Sequence, residues 1–116
     1  MPRDSSVYLE DILQAAARIH KYVGSRSLEE FRQDTMAVDA VVRNLEVIGE
    51  AVKRLPEAMR RDCPAIEWKK IAGLRDILIH AYFWIDVEII WDVIQNKLPG
   101  LELEIPNLLR GAGQGE

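Results

Sequence analysis

The chain has 116 residues, a mass of 13.3 kDa and a net charge of −4, from 15 Lys+Arg against 19 Asp+Glu. Its length fits one compact domain of the usual ~100–150 residues, and a hydrophobic fraction of 48% with 29% charged excludes an apolar-poor, disordered chain. A pI near 5.2 excludes attachment to nucleic acid or anionic membrane through overall charge, leaving only local basic sites.

Taken in chain order, Tyr8, Leu9, Ile12, Leu13, Ala16, Ile19 and Val23 recur at three- and four-residue steps and predict an amphipathic helix from Ser5 to Tyr22. Asp4, Ser5 or Ser6 supplies its cap and Gly24 its stop. Ser27-Leu28-Glu29-Glu30 has capping-box spacing and opens a short element through Phe31. Thr35 to Leu55 reads as a long central helix ending at Pro56, with Gly49 inside it marking close approach of a neighbouring helix. Pro56 to Pro64 is charged and broken by proline, a connection with at most a short helical turn.

Pro64 is placed to open a helix carrying Ile66, Trp68 and Ile71, which Gly73 bends or breaks before a further helical stretch from Leu74 to Ile85. Asp86 then caps a helix through Leu98, followed by a shorter helix or extended arm from Pro99 to Leu109. No strand alternation and no repeat of 20–50 residues is present, so the expected fold is all-α, an antiparallel bundle of four to five helices. Residues 1–110 form the domain and the Gly-rich 111–116 a disordered tail.

The setting follows from a few absences in the sequence. One cysteine, Cys63, cannot form an internal disulfide, and no Cys/His spacing matches a zinc site. The N-terminus has no apolar leader and no run approaches the ~18 apolar residues of a membrane span, so the expectation is a cytoplasmic protein. There is no phosphate-binding glycine loop, no H-E-x-x-H pair and no serine elbow, and neither a metal nor a cofactor is expected.

The charge is unevenly distributed. Residues 1–52 carry a net −3, residues 53–75 a net +4 and residues 76–116 a net −5. The positive block, Lys53, Arg54, Arg60, Arg61, Lys69, Lys70 and Arg75, runs directly into Arg75-Asp76-Ile77-Leu78-Ile79-His80-Ala81-Tyr82. The block fits either a basic approach to a polar site or a solvated loop and helix face.

At ~100° per residue, Arg75 and Tyr82 fall within ~20° of each other on a helix, whereas His80 lies ~140° from Arg75. Asp76, four residues before His80, is within reach of its imidazole and would fix the tautomer and favour protonation. Bringing Arg75 and His80 together takes either a folded-back arginine or a second chain related by a twofold axis. The alternatives stay open: His80 as a core or interface histidine, Arg75 as a partner of Asp76, and Tyr82, Phe83, Trp84 and Trp91 as packing residues. His20 has no comparable neighbours.

The octapeptide matches the R-x-x-x-x-H-x-Y pattern of the HEPN superfamily, and the chain resembles in particular the HepT-type toxins of type VII toxin–antitoxin pairs. Arg43-Asn44-Leu45-Glu46-Val47-Ile48-Gly49-Glu50-Ala51 resembles their central-helix signature, and Trp68-Lys69-Lys70-Ile71-Ala72-Gly73-Leu74-Arg75 their approach to the motif. The resemblance spans about residues 5–109. It implies a homodimeric, metal-independent endoribonuclease with Arg75 and His80 in the catalytic roles at a composite cleft. It also implies a nucleotidyltransferase antitoxin of the MntA kind that adds AMP to the motif tyrosine, here Tyr82. Asp76 stands where many relatives have Asn and is the supporting, orienting residue. Lys69, Lys70 and Arg43 are the candidate RNA contacts. The alternative is a non-catalytic helical scaffold that binds a nucleotidyltransferase.

Overall fold

Asp4 begins the ordered architecture, its carboxylate accepting from the Ser6 amide at 3.0 Å and capping α1, Ser5–Val23. The computed structural model describes residues 4–80 and 86–114. Gly24 ends α1 at φ 57°, a left-handed conformation that glycine adopts without steric penalty. The Ser27 hydroxyl accepts from the Glu30 amide while the Glu30 carboxylate accepts from the Ser27 amide, so α2, Leu28–Gln33, opens on the expected capping box. Those bonds hold the Glu30 carboxyl below the ordinary carboxylate range.

Asp34 accepts from the Ala37 amide and caps α3, Thr35–Arg54, the central helix of the bundle. α1 and α5 (Trp68–His80) pack on it, and a last long helical run packs on α1. Leu9, Ile12, Ile19, Val41, Leu45, Ile48, Val52, Leu98, Leu101 and Ile105 are fully buried between these helices. Each such side chain contributes roughly 1.5–3 kcal/mol, so this seam dominates the folding free energy. Phe31 and Trp91, with ring centroids 5.6 Å apart, close the bundle between α2 and α6 (Val87–Asp92), giving Trp91 a packing role. His20 on α1 meets Glu102 on the last run at 2.6 Å.

All described elements are helical, in agreement with the all-α expectation. Prolines account for two of the departures from the predicted elements. After the short α4, Glu57–Arg61, the helix carrying Trp68 and Ile71 begins at Trp68 and not at Pro64. Pro64 instead occupies the second position of a turn closed by the Ile66 amide on the Cys63 carbonyl, and the Trp68 indole N–H also donates to that carbonyl at 2.9 Å. Gly73 neither bends nor breaks α5, which runs unbroken from Trp68 to His80. The segment from 81 to 85, predicted to continue the helix, lies outside the described residues.

The second departure is at Pro99. Here α6 passes through a π turn, Val93–Lys97, directly into α7, Leu98–Gln114, making one continuous run where a break at Pro99 is expected. Pro99 lacks the N–H that an α-helix would donate to the Gln95 carbonyl, and its ring crowds that oxygen. The widened turn, in which the Leu98 amide reaches back to the Val93 carbonyl, accommodates it without ending the helix. α7 continues past Gly111, where the Gly-rich tail is expected to start, as far as Gln114. Among the described residues no helix is long and apolar enough to cross a membrane.

Candidate active site

Gly49 sets the distance between the two helices that carry the site. A Cβ built there would lie 3.0 Å from the Arg75 Cβ, 3.2 Å from its amide nitrogen and 3.3 Å from the Ile71 carbonyl oxygen. The close approach anticipated from the sequence is therefore to the arginine that opens the octapeptide.

The next residue on α3 exploits this proximity. Glu50 Oε2 lies 2.8 Å from Arg75 Nε, and Glu50 Oε1 lies 3.2 Å from both Nε and a terminal nitrogen of Arg54. One carboxylate thus holds two guanidinium groups side by side. Asp76 adds a weaker contact to Arg75 Nη1 at 3.4 Å and is itself held by Lys53 Nζ at 3.3 Å through both carboxylate oxygens. The Arg75 side chain remains 37% exposed, enough to present its free donors to a ligand.

These groups open onto a groove of about 640 Å³ among α1, α3 and α5, lined by Tyr8 and Asp11 from α1, by Arg43, Glu46, Glu50 and Arg54 from α3, and by Arg75. Arg43, a candidate RNA contact, thus shares a groove with Arg75, and among the described residues it has no ion-pair partner. Lys69 and Lys70 do not share it. They line a separate groove with Arg60 and Arg61, and Lys70 is bound to Glu67 at 2.7 Å.

The backbone places His80 as the last residue of α5, five residues beyond Arg75, about 7.5 Å along the axis. Its side chain lies outside those described, and so does the expected contact with Asp76; the described partners of Asp76 are Lys53 and Arg75. Tyr82, Phe83 and Trp84 lie outside the described residues. Among the described residues, no group of three or more His, Cys, Asp or Glu is arranged to hold a metal ion. Cys63 is buried, with its thiol 3.7 Å from Glu104; burial first, and that carboxylate second, push it above the ordinary thiol range.

Glu50 is the functional neighbour that sequence reasoning did not single out. Its signal was nevertheless present, as an acidic residue four before Arg54 and immediately after the glycine of closest approach.

The Ribonuclease HepT-like family matches residues 12–108, and the chain belongs to it. Among the similar proteins are several named "Putative RNase". One from Methanocaldococcus jannaschii, MJ0127, is 44% identical over 95% of this chain and 92% of its own length. One from Caldanaerobacter subterraneus subsp. tengcongensis, TTE0752, is 44% identical over 89% of this chain and 92% of its own. A protein of Thermococcus cleftensis named "Probable ribonuclease HepT" is 40% identical over 88% of this chain and 93% of its own. No solved structure gives a significant match.

Proposed function

We propose that the chain is an endoribonuclease toxin that cleaves RNA without a metal, using Arg75 and His80. The observation that carries this reading is the setting of Arg75 in a family of ribonucleases: fixed through Nε by Glu50, exposed at a groove, and on the same helix as His80.

RNA cleavage by transesterification needs three things. A base takes the proton from the 2′-OH, the 2′-oxygen attacks phosphorus while the bond to the 5′-oxygen breaks, and an acid protonates that leaving oxygen. An imidazole with a pKa near its ordinary ~6.5 serves as base or acid at neutral pH and contributes typically ~10²–10⁴-fold. A guanidinium binds two phosphoryl oxygens in a fork and stabilises the charge that develops on them. Glu50 takes the Nε edge, so the terminal nitrogens face the phosphate. The long 3.4 Å Asp76 contact yields to a phosphate before the 2.8 Å Glu50 contact does. Asp76 acts here as the supporting residue, through Arg75.

Arg75 and His80 lie ~140° apart around the helix, so a homodimer completes the site, each chain giving its arginine to the other's histidine. Tyr82 is the point of control. An MntA-like nucleotidyltransferase transfers AMP from ATP to its phenol oxygen, releasing pyrophosphate and the phenolic proton, which adds a phosphate and a base seven residues from Arg75, neutralising its charge and obstructing RNA. Arg43 and the Lys69–Lys70 pair contact the RNA backbone.

The deciding experiment is cleavage of a defined RNA in EDTA. Wild type should leave a 2′,3′-cyclic phosphate and fail on a strand with 2′-deoxy at the cleavage site, and Arg75→Ala and His80→Ala should each lose at least ~10²-fold. Full activity of both variants overturns the reading. Absence of cleavage together with a stable complex with a nucleotidyltransferase supports the scaffold alternative.

A further inference from the structure

The basic residues ahead of Arg75 do not all gather around it. Arg60 and Arg61, in the last turn of α4, and Lys69, in the first turn of α5, line a second open groove of about 530 Å³, with Trp68 as its apolar wall. Trp68 is 7% exposed and its indole N–H is bound to the Cys63 carbonyl, so it supports the groove without offering a stacking face. Glu57 and Glu67 also line the groove, but Glu67 is taken by Lys70 and Lys97. Among the described residues, Arg60, Arg61 and Lys69 have no ion-pair partner.

One donor in the wall of this groove is itself unpaired. Arg60 Nε is buried without an acceptor, and among the described residues no other buried side-chain nitrogen or oxygen is in that state. Folded proteins pair such donors because the water they lose must be replaced. The last turn of α4 favours cations at its exposed carbonyls, which accounts for the presence of two arginines but not for an orphaned Nε.

We infer that this groove binds a phosphodiester of the RNA strand at a distance from the scissile bond, with the charged ends of Arg60, Arg61 and Lys69, which line it without ion-pair partners among the described residues, as the anion's contacts. This rests on the ribonuclease reading and extends it. Lys69 precedes Arg75 by six residues, ~9 Å of helix rise, so one bound strand can meet both grooves. The subsite reads the backbone and not the bases, so it increases affinity for all sequences equally.

The test is the salt dependence of binding of a 2′-deoxy-blocked, uncleavable oligoribonucleotide, with ATP titrated in parallel. For single strands each phosphate contact contributes about −0.7 to the slope of log K against log salt. The Arg60→Gln/Arg61→Gln protein should therefore lose about 0.7 of that slope, and its KM for cleavable RNA should rise about tenfold. The exposed pair Arg61→Gln/Lys69→Gln should show a similar loss and does not depend on the fold tolerating a change at Arg60. Slopes equal to wild type in both proteins, with wild type binding and cleaving RNA, overturn the subsite alone. Wild type that neither binds nor cleaves RNA overturns the ribonuclease reading and the subsite with it. Loss of ATP binding with an unchanged oligonucleotide slope assigns the groove to a free nucleotide phosphate and also overturns the inference.

Discussion

At the scale of single residues, the site depends on two neighbours on α3. Replacing Gly49 by alanine gains ~1 kcal/mol of helix propensity, but places a methyl 3.0–3.3 Å from backbone and Cβ atoms of α5 that cannot rotate away. Overpacking of this kind costs typically ~1–3 kcal/mol and prevails, so Gly49→Ala should be destabilised by about 1 kcal/mol. A urea melt checks this. Glu50→Gln keeps the shape but releases Arg75 and Arg54 from their shared anion. A ~1 Å misplacement near the chemistry can remove ~10²-fold; kcat should fall by ~10–100-fold, more than KM rises, and Glu50→Asp should restore part of it. Steady-state kinetics on one RNA separates the two parameters. Arg75 was legible in the sequence because it opens a motif. Of the Glu50 contacts only the one with Arg54, four residues on, was legible; the one with Arg75 was not, because it is made across two helices and depends on their relative rotation, which periodicity leaves open.

At the scale of elements, local chemistry was largely legible. Asp4, Ser27 and Asp86 cap the helices they precede, and Gly24 ends α1, because each of these bonds is made within four residues of chain. The prolines were misleading because proline fits both a helix start and a turn, and tertiary packing selects between them. Pro64 joins a turn held by the Cys63 carbonyl, and Pro99 is absorbed by a π turn. Glu67, just before α5, ties that π turn down by bonding both Lys70 and Lys97. The hydrogen bond from Lys70, then that from Lys97, lowers the Glu67 carboxyl from 4.5 to about 2. A carboxyl lowered on folding stabilises the folded state fully above its unfolded pKa. Here the contribution is lost as pH falls from about 4.5 towards about 2. Lys70→Ala should flatten this acid limb more than Lys97→Ala, and salt should weaken it in wild type because the bridge is exposed. Urea midpoints measured from pH 2 to 6 at two ionic strengths read both effects.

At the scale of the whole molecule, the uneven charge acquires a meaning that the total of −4 conceals. The positive block does not form one patch: Lys53, Arg54 and Arg75 are held by Glu50 and Asp76, while Arg60, Arg61 and Lys69, in the second groove, have no ion-pair partner among the described residues. An acidic chain presented this way binds RNA at chosen points and is repelled elsewhere, so binding should be weak and strongly salt-dependent, with specificity in the geometry of cleavage. That geometry is the strongest reason to expect two chains per site, since one α5 helix puts Arg75 and His80 on different sides. The expectation can be tested without a structure of the dimer. Arg75→Ala and His80→Ala proteins, each inactive alone, are mixed in equal amounts and left to exchange subunits. Half of the dimers become mixed, and a mixed dimer holds one intact pair, the arginine of one chain with the histidine of the other, so about a quarter of wild-type activity should return. If both residues acted within one chain, neither partner in the mixed dimer would hold an intact pair and the mixture would stay inactive. The rate at which activity returns would then also report how fast the dimer opens.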